Sequence, residues 1–165
     1  MKHTISVLVE NRAGVLSKVA GLFSRRGFNI DSLAVGVTED PAVSRITIVV
    51  EGNEYTVEQI EKQLNKLIPV IKVKTLREGS HISHMLSFYK ISFTAKHRAE
   101  IMKIAELMGA RILDVTKATI TLEFTDTAGR TETLESLLKP FGIREAVRTG
   151  ILAIEKGAGT VNSRR

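Results

Sequence analysis

Val7-Leu8-Val9-Glu10-Asn11-Arg12-Ala13-Gly14-Val15-Leu16-Ser17-Lys18-Val19-Ala20-Gly21-Leu22-Phe23 is the stretch from which the rest of the chain is read. Ile5 to Val9 is dominated by β-branched and aliphatic residues, which predicts a strand. Val15, Leu16, Val19, Ala20 and Phe23 recur near the helical period, which predicts a helix. Asn11 to Gly14 are polar or small, and the chain turns there from sheet to helix. Gly14 has no Cβ, so a ligand can approach the backbone where the first helical N–H groups have no partner. The positive end of the helix dipole lies at the same point, which suits a carboxylate or a phosphate. The same residues also suit a plain strand-to-helix turn, and alone they do not decide between the two.

Composition narrows the class. The chain has 165 residues, 43% hydrophobic and 25% charged, as expected of a soluble globular protein of one domain or two small ones. No apolar run approaches the roughly 20 residues of a membrane span, and Met1-Lys2-His3-Thr4 leads directly into a strand, with no room for a signal peptide. The absence of cysteine excludes disulfides and thiolate metal sites and fits the cytoplasm. The net charge of +6 is dispersed, its longest basic clusters being Arg25-Arg26 and Arg164-Arg165, so solubility explains it as well as nucleic acid does.

Working outward, Gly27 takes the position of a helix C-cap after the basic last turn Arg25-Arg26. Asn29 to Thr38 reads as a second strand with Leu33, Val35 and Val37 on one face, and Ser44 to Glu51 as a third with Ile46, Ile48 and Val50 alternating. Thr56 and Gln59 form a capping box opening a helix with Val57, Ile60, Leu64 and Leu67 on its apolar stripe. Pro69 ends it, and Ile71 and Val73 mark a fourth strand. The order βαββαβ predicts a ferredoxin-like sandwich over residues 1–78. Residues 79–85 lack periodicity and read as a linker.

The order then returns over residues 86–154. The strands are Phe88–Phe93, Ala110–Thr116, Thr119–Phe124 and Ile143–Ile154, and one helix is striped by Ile101, Ile104, Ala105 and Met108, the other by Leu134, Leu137 and Leu138. Residues 155–165 read as a flexible tail. The fold class is therefore α+β, a tandem of two βαββαβ sandwiches. In the first, Lys72 and Lys74 guard the outer fourth strand, whereas Ser32 to Val37 carries neither charge nor proline. An unguarded apolar edge predicts a two-fold dimer through the second strand.

No catalytic constellation stands out. His81 and His84 lack a carboxylate pair, and a metal site is not expected. The βαββαβ order also serves RNA recognition, but Ser44 to Val50 has no aromatic on which a base could stack. Nucleic acid is thus not an expected partner.

Asn11-Arg12-Ala13-Gly14-Val15-Leu16 followed by Gly21 to Leu33 resembles the ACT domain and, more narrowly, the small regulatory subunit family of acetolactate synthase (acetohydroxyacid synthase). Asp40-Pro41, Ser44 to Ile48, Gln59 to Leu67 and Ile112 to Thr116 are similar to that family as well. The resemblance implies an N-terminal ACT domain with an ACT-like C-terminal domain, and a subunit without catalysis of its own. Such a subunit activates a catalytic large subunit carrying thiamine diphosphate, Mg and FAD, and makes it subject to feedback by valine in branched-chain amino acid synthesis. It implies an effector site between two ACT domains, formed by Asn11, Ala13, Gly14, Val15 and Leu16 of one chain and Asn29 and Ile30 of the other. The physical reading agrees: a carboxylate suits the helix start, the Asn side chains can accept from an ammonium, and Val15 and Ile30 offer aliphatic walls. Thr94-Ala95-Lys96-His97-Arg98, the matching loop of the second half, has no glycine, so effector binding is expected in the first half only. A stand-alone ACT-type sensor acting on transcription or on another enzyme is the competing reading; no helix-turn-helix segment accompanies it.

Overall fold

Strands that bury one face and helices that bury one stripe pair naturally as a sheet with helices on one side. A computed structural model describes residues 1–162 of the chain. Its first part runs β1 (Lys2–Glu10), α1 (Val15–Arg26), β2 (Ile30–Val37), β3 (Val43–Glu51), α2 (Glu54–Leu64) and β4 (Val70–Leu76). The sheet order is β2-β3-β1-β4, the expected ferredoxin-like arrangement with β2 and β4 at the edges. Ile5, Val7 and Val9 of β1 and Ile46, Ile48 and Val50 of β3 face the helices and bury against Val19, Leu22, Phe23, Ile60 and Leu64. Helix α1 ends at Gly27, whose φ of 68° and N–H bond to Ser24 O close the last turn. The cap of helix α2 lies three residues before the expected capping box. Asn53 caps it, its Oδ1 accepting from both the N–H and the hydroxyl of Thr56, so Thr56 lies inside the first turn.

The second part runs β5 (His81–Ser92), α3 (Arg98–Met108), β6 (Arg111–Val115), β7 (Thr119–Asp126), α4 (Ala128–Leu138) and β8 (Ile143–Arg148), with the sheet order β6-β7-β5-β8. Tyr89, Ile91, Ile120, Leu122, Ile101 and Leu134 are its core. A last short strand, β9 (Leu152–Glu155), pairs with β5.

The compact units differ from the expected domains. One comprises Met1–Ser83 together with the chain from Ile151 onward, and the other His84–Gly150. The expected linker is strand from His81, because the turn closes earlier, over Arg77 to Ser80, where Gly79 takes a φ of 75°. The expected final strand breaks at Thr149–Ile151, where Gly150 has a φ of 80° that a strand cannot carry.

The expected tail is also structured as far as it is described. Glu155 pairs with Lys74 at 2.7 Å, Thr160 O accepts from Lys74 Nζ at 3.0 Å, and Val161 is buried. Ser163, Arg164 and Arg165 lie outside the described residues. Lys74, read as an edge guard, is instead a largely buried cation held by this returning segment.

Candidate functional site

Asn11 is fixed on both sides of its backbone. Its N–H donates to Ala42 O at 2.8 Å, and its Nδ2 donates to Pro41 O at 2.8 Å. The turn it leans on is closed in turn by Ala42 N–H bonding to Asp40 Oδ1 at 2.9 Å. The loop between β1 and α1 is thereby anchored to the turn between β2 and β3. Asn11 Oδ1 keeps its acceptor capacity, with no partner among the described residues.

Gly14 follows at a φ of 83°, with no side-chain cap on the helix and nothing within 4 Å of the place where a Cβ would stand. Helices usually start from an extended residue that carries a capping oxygen. Here the start is left-handed and bare. Among the described residues the N–H groups of Gly14, Leu16 and Ser17 have no acceptor, while Val15 N–H reaches Arg12 O only at 3.5 Å. Unpartnered donors at an exposed helix N-terminus, in the positive field of the dipole, have the chemistry to take an anion such as a carboxylate. Beside them Arg12 is paired with Glu10 at 2.5 Å.

The side chains at this start divide in a way the spacing does not foretell. Val15, expected as a wall of the site, points into the core at 4% exposure and offers only its backbone. Leu16, at 43% exposure, is the aliphatic side chain that faces outward. Ala13 is exposed in the turn, Asn29 is exposed just before β2, and Ile30 is half-buried against the core. Asn29 and Ile30 lead into β2, whose outer edge pairs with no other strand among the described residues. Leu33, Val35 and Val37 share the helix face of that strand, and Val35 and Val37 remain 48% and 60% exposed because no helix among the described residues reaches over them. Asp31 lies within the strand at a register shift and pairs with Lys2 at 3.0 Å.

The corresponding helix start in the second unit has a different character. His97 precedes α3 and stacks edge-on to Phe141, while Arg98 lies over Phe93 and donates to Lys117 O at 2.9 Å. Bulky side chains occupy the ground that glycine leaves open at Gly14.

What spacing alone missed in the second unit is a polar cluster on its helix face. The Tyr89 hydroxyl, on a fully buried side chain, donates to Glu135 Oε1 at 2.7 Å, and Arg148 donates to the same oxygen. Burial pushes the Glu135 carboxyl up, but the bonds from Tyr89 and Arg148 outweigh it and hold the carboxyl below its ordinary value. Burial, and then the bond to Glu135, raise the Tyr89 phenol. A lowered carboxyl stabilises the fold above its unfolded pKa of about 4.3 and ceases to do so as pH falls through the folded value. A raised phenol stabilises below about pH 10 and is lost as pH rises through the folded value. Stability of the second unit should therefore plateau between those limits. Glu135→Gln should lower the plateau by about 1.5–3 kcal/mol and flatten its acid limb, as read by urea unfolding at pH 3.5 and pH 7; an acid limb as steep as that of the wild type would refute the assignment.

Among the described residues no group of three or more His, Asp or Glu gathers to hold a metal, and no helix is long and apolar enough to cross a membrane.

Comparison with known proteins covers both halves. Residues 5–72 match the family described as AHAS small subunit-like ACT domain, and residues 84–157 match that described as small subunit of acetolactate synthase. The acetolactate synthase small subunit of Mycolicibacterium smegmatis is 46% identical over 155 residues, covering 94% of this chain and 91% of that protein. The probable acetolactate synthase small subunit of Archaeoglobus fulgidus is 46% identical over 157 residues, covering 95% and 98%. The crystal structure of the acetolactate synthase small subunit from Thermotoga maritima superposes with a TM-score of 0.90 at 37% identity, covering 96% of this chain and 99% of that one.

Proposed function

This chain belongs to the family of acetolactate synthase small subunits, and from that premise we propose that it binds the catalytic large subunit, raises its activity and makes it subject to feedback by valine. The thiamine diphosphate, Mg and FAD of the reaction reside on the large subunit in this reading, and this chain supplies regulation only. The observation that carries the reading is the bare helix start at Gly14, with the N–H groups of Gly14, Leu16 and Ser17 unpartnered. A valine carboxylate fits those donors. Its ammonium needs acceptors, which Asn11 Oδ1 and the Asn29 side chain supply. Leu16 and Ile30 offer aliphatic surface for the isopropyl group, and Ala13 is small enough to leave the approach open. In the same reading the protein works in the cytoplasm alongside the enzyme it controls.

In this reading the site is completed by a second copy of the chain, whose Asn29 and Ile30 face the first copy's Gly14 turn. The unguarded outer edge of β2 supports a dimer in which two such edges pair and the half-exposed Val35 and Val37 become covered. Val35→Lys should convert the dimer to monomer at micromolar concentration in sedimentation, because the ammonium would be buried unpaired at the joint. A wild type that sediments as a monomer under the same conditions would remove the dimer from the reading. The function itself is tested by titrating valine into the complex of this chain with its large subunit while following acetolactate formation. Activation without valine and inhibition with it are expected. An enzyme indifferent to this chain would refute the reading.

A further inference from the structure

Glu61 of α2 closes part of the outer edge of β4. Its carboxylate accepts from the Thr75 N–H at 3.0 Å and from the Thr75 hydroxyl at 2.5 Å. Beside Thr75 lies a cavity of about 300 Å³, lined also by Arg77, Ser80 and Glu155. All four residues belong to one compact unit. Thr75 stands opposite Ile5 near the start of β1, whereas the Gly14 turn follows the end of that strand. The cavity and the turn are therefore at opposite ends of the first sheet.

Arg77 follows β4 in the turn to β5, and its backbone is firmly held. Its carbonyl accepts from the Ser80 N–H at 3.1 Å, from the Ser80 hydroxyl at 2.7 Å and from His81 Nδ1 at 2.8 Å. Its side chain is exposed, and among the described residues no carboxylate pairs with the guanidinium. Glu155 is the acid of the lining. Its side chain is 18% exposed, sheltered enough for its charge to be felt.

Apart from the guanidinium, the side chains of the lining are left with acceptors only. The Thr75 hydroxyl has given its proton to Glu61, and the Ser80 hydroxyl has given its own to the Arg77 carbonyl. Glu155 spends Oε2 on Lys74 at 2.7 Å and keeps Oε1. An anion alone would be repelled by Glu155, and a cation alone by Arg77. A zwitterion suits both. A carboxylate matches the planar fork of the guanidinium, and the three protons of an ammonium match Glu155 Oε1 and the two hydroxyl oxygens. The volume is at the low end for a small-molecule site, and no aliphatic or aromatic residue lines it.

We propose that this cavity binds a small polar α-amino acid, with Arg77 taking its carboxylate and Glu155 its ammonium. The site is separate from the Gly14 turn and does not depend on the functional reading above. It needs no second copy of the chain, because all four lining residues come from one unit.

The test is amide NMR on the full-length chain with L-serine as the probe, a small amino acid with a polar side chain. Serine should shift the amides of Thr75, Arg77, Ser80 and Glu155 saturably at concentrations up to about 50 mM. Arg77→Gln removes the charge from an exposed side chain and leaves the backbone bonds of the turn in place. It should weaken serine by about tenfold or more, the effect of a charge-assisted hydrogen bond. Arg77→Lys keeps the charge without the fork and should weaken it less. Gly14→Asp should leave these four shifts as in the wild type, which separates this site from the Gly14 turn. Ethanolamine and glycolate each keep one of serine's two charges, and neither should reproduce the shifts. The proposal is overturned by serine shifts that never saturate or that are confined to Asn11–Ser17. It is equally overturned if Arg77→Gln binds serine as the wild type does, or if either single-charge compound binds as well as serine.

Discussion

Gly14→Asp is expected to leave acetolactate formation at its uninhibited level across a valine titration that inhibits the wild-type complex. The added carboxylate would lie beside the unpartnered N–H groups of Gly14, Leu16 and Ser17, which bind the effector's own carboxylate in the proposed reading. Loss of one charge-assisted hydrogen bond is worth about 1.5–3 kcal/mol, roughly ten- to a hundredfold in affinity, and repulsion between the two carboxylates adds to it. The change also has a structural cost. Aspartate is a favourable residue at an ordinary helix start, but this start has a φ of 83°, where a Cβ costs about 1–2 kcal/mol. Space is no obstacle, since nothing lies within 4 Å of the new Cβ. Gly14→Ala separates the two effects: it imposes the same backbone cost without the charge. Alanine should retain inhibition at raised valine concentration, and aspartate should abolish it. Equal inhibition in both variants would show that Gly14 only shapes the turn.

Removing the chain after Gly150 is expected to unfold the first unit at temperatures where the full chain is intact. The helix-free face of that unit's sheet is not a solvated face. Ser6, Leu8, Thr47, Val49 and Leu76 are all buried on it. Lys74, with a side chain 14% exposed, would lose both Glu155 and the carbonyl of Thr160. Stripping the partner from a buried charge costs about 3–5 kcal/mol, a large share of the roughly 5–15 kcal/mol that holds a domain together. A chain ended at Glu78 should fare no better, because it lacks the same segment. Thermal unfolding followed by circular dichroism checks this, with calorimetry for valine. A shortened chain that melts with the full-length protein would show that the returning segment adds no stability to the first unit.

These expectations separate what is legible in the residues from what is not. Both βαββαβ orders could be read from local patterns, because strand alternation, helical stripes and glycine C-caps at Gly27 and Gly109 report interactions within a few residues of one another. The bare turn at Gly14 and the unguarded edge of β2 were legible for the same reason. A missing side chain or a missing charge is visible in the sequence itself. The family could be read from the motif spanning Asn11 to Leu33, and both matched regions bear that out.

What tertiary structure decided was everything that depends on partners distant in sequence. Val15 and Leu16 are adjacent and equally aliphatic, and only the packing of α1 on the sheet sends one into the core and leaves the other exposed beside the Gly14 turn. Glu155 and Thr160 sit in a glycine-rich polar stretch whose composition predicts a loose tail. Their partner, Lys74, lies 81 and 86 residues away, beyond the reach of any local period. The unit boundary moved for the same reason: the first sheet has two faces, its helices cover one, and the segment that lies on the other comes from the far end of the chain.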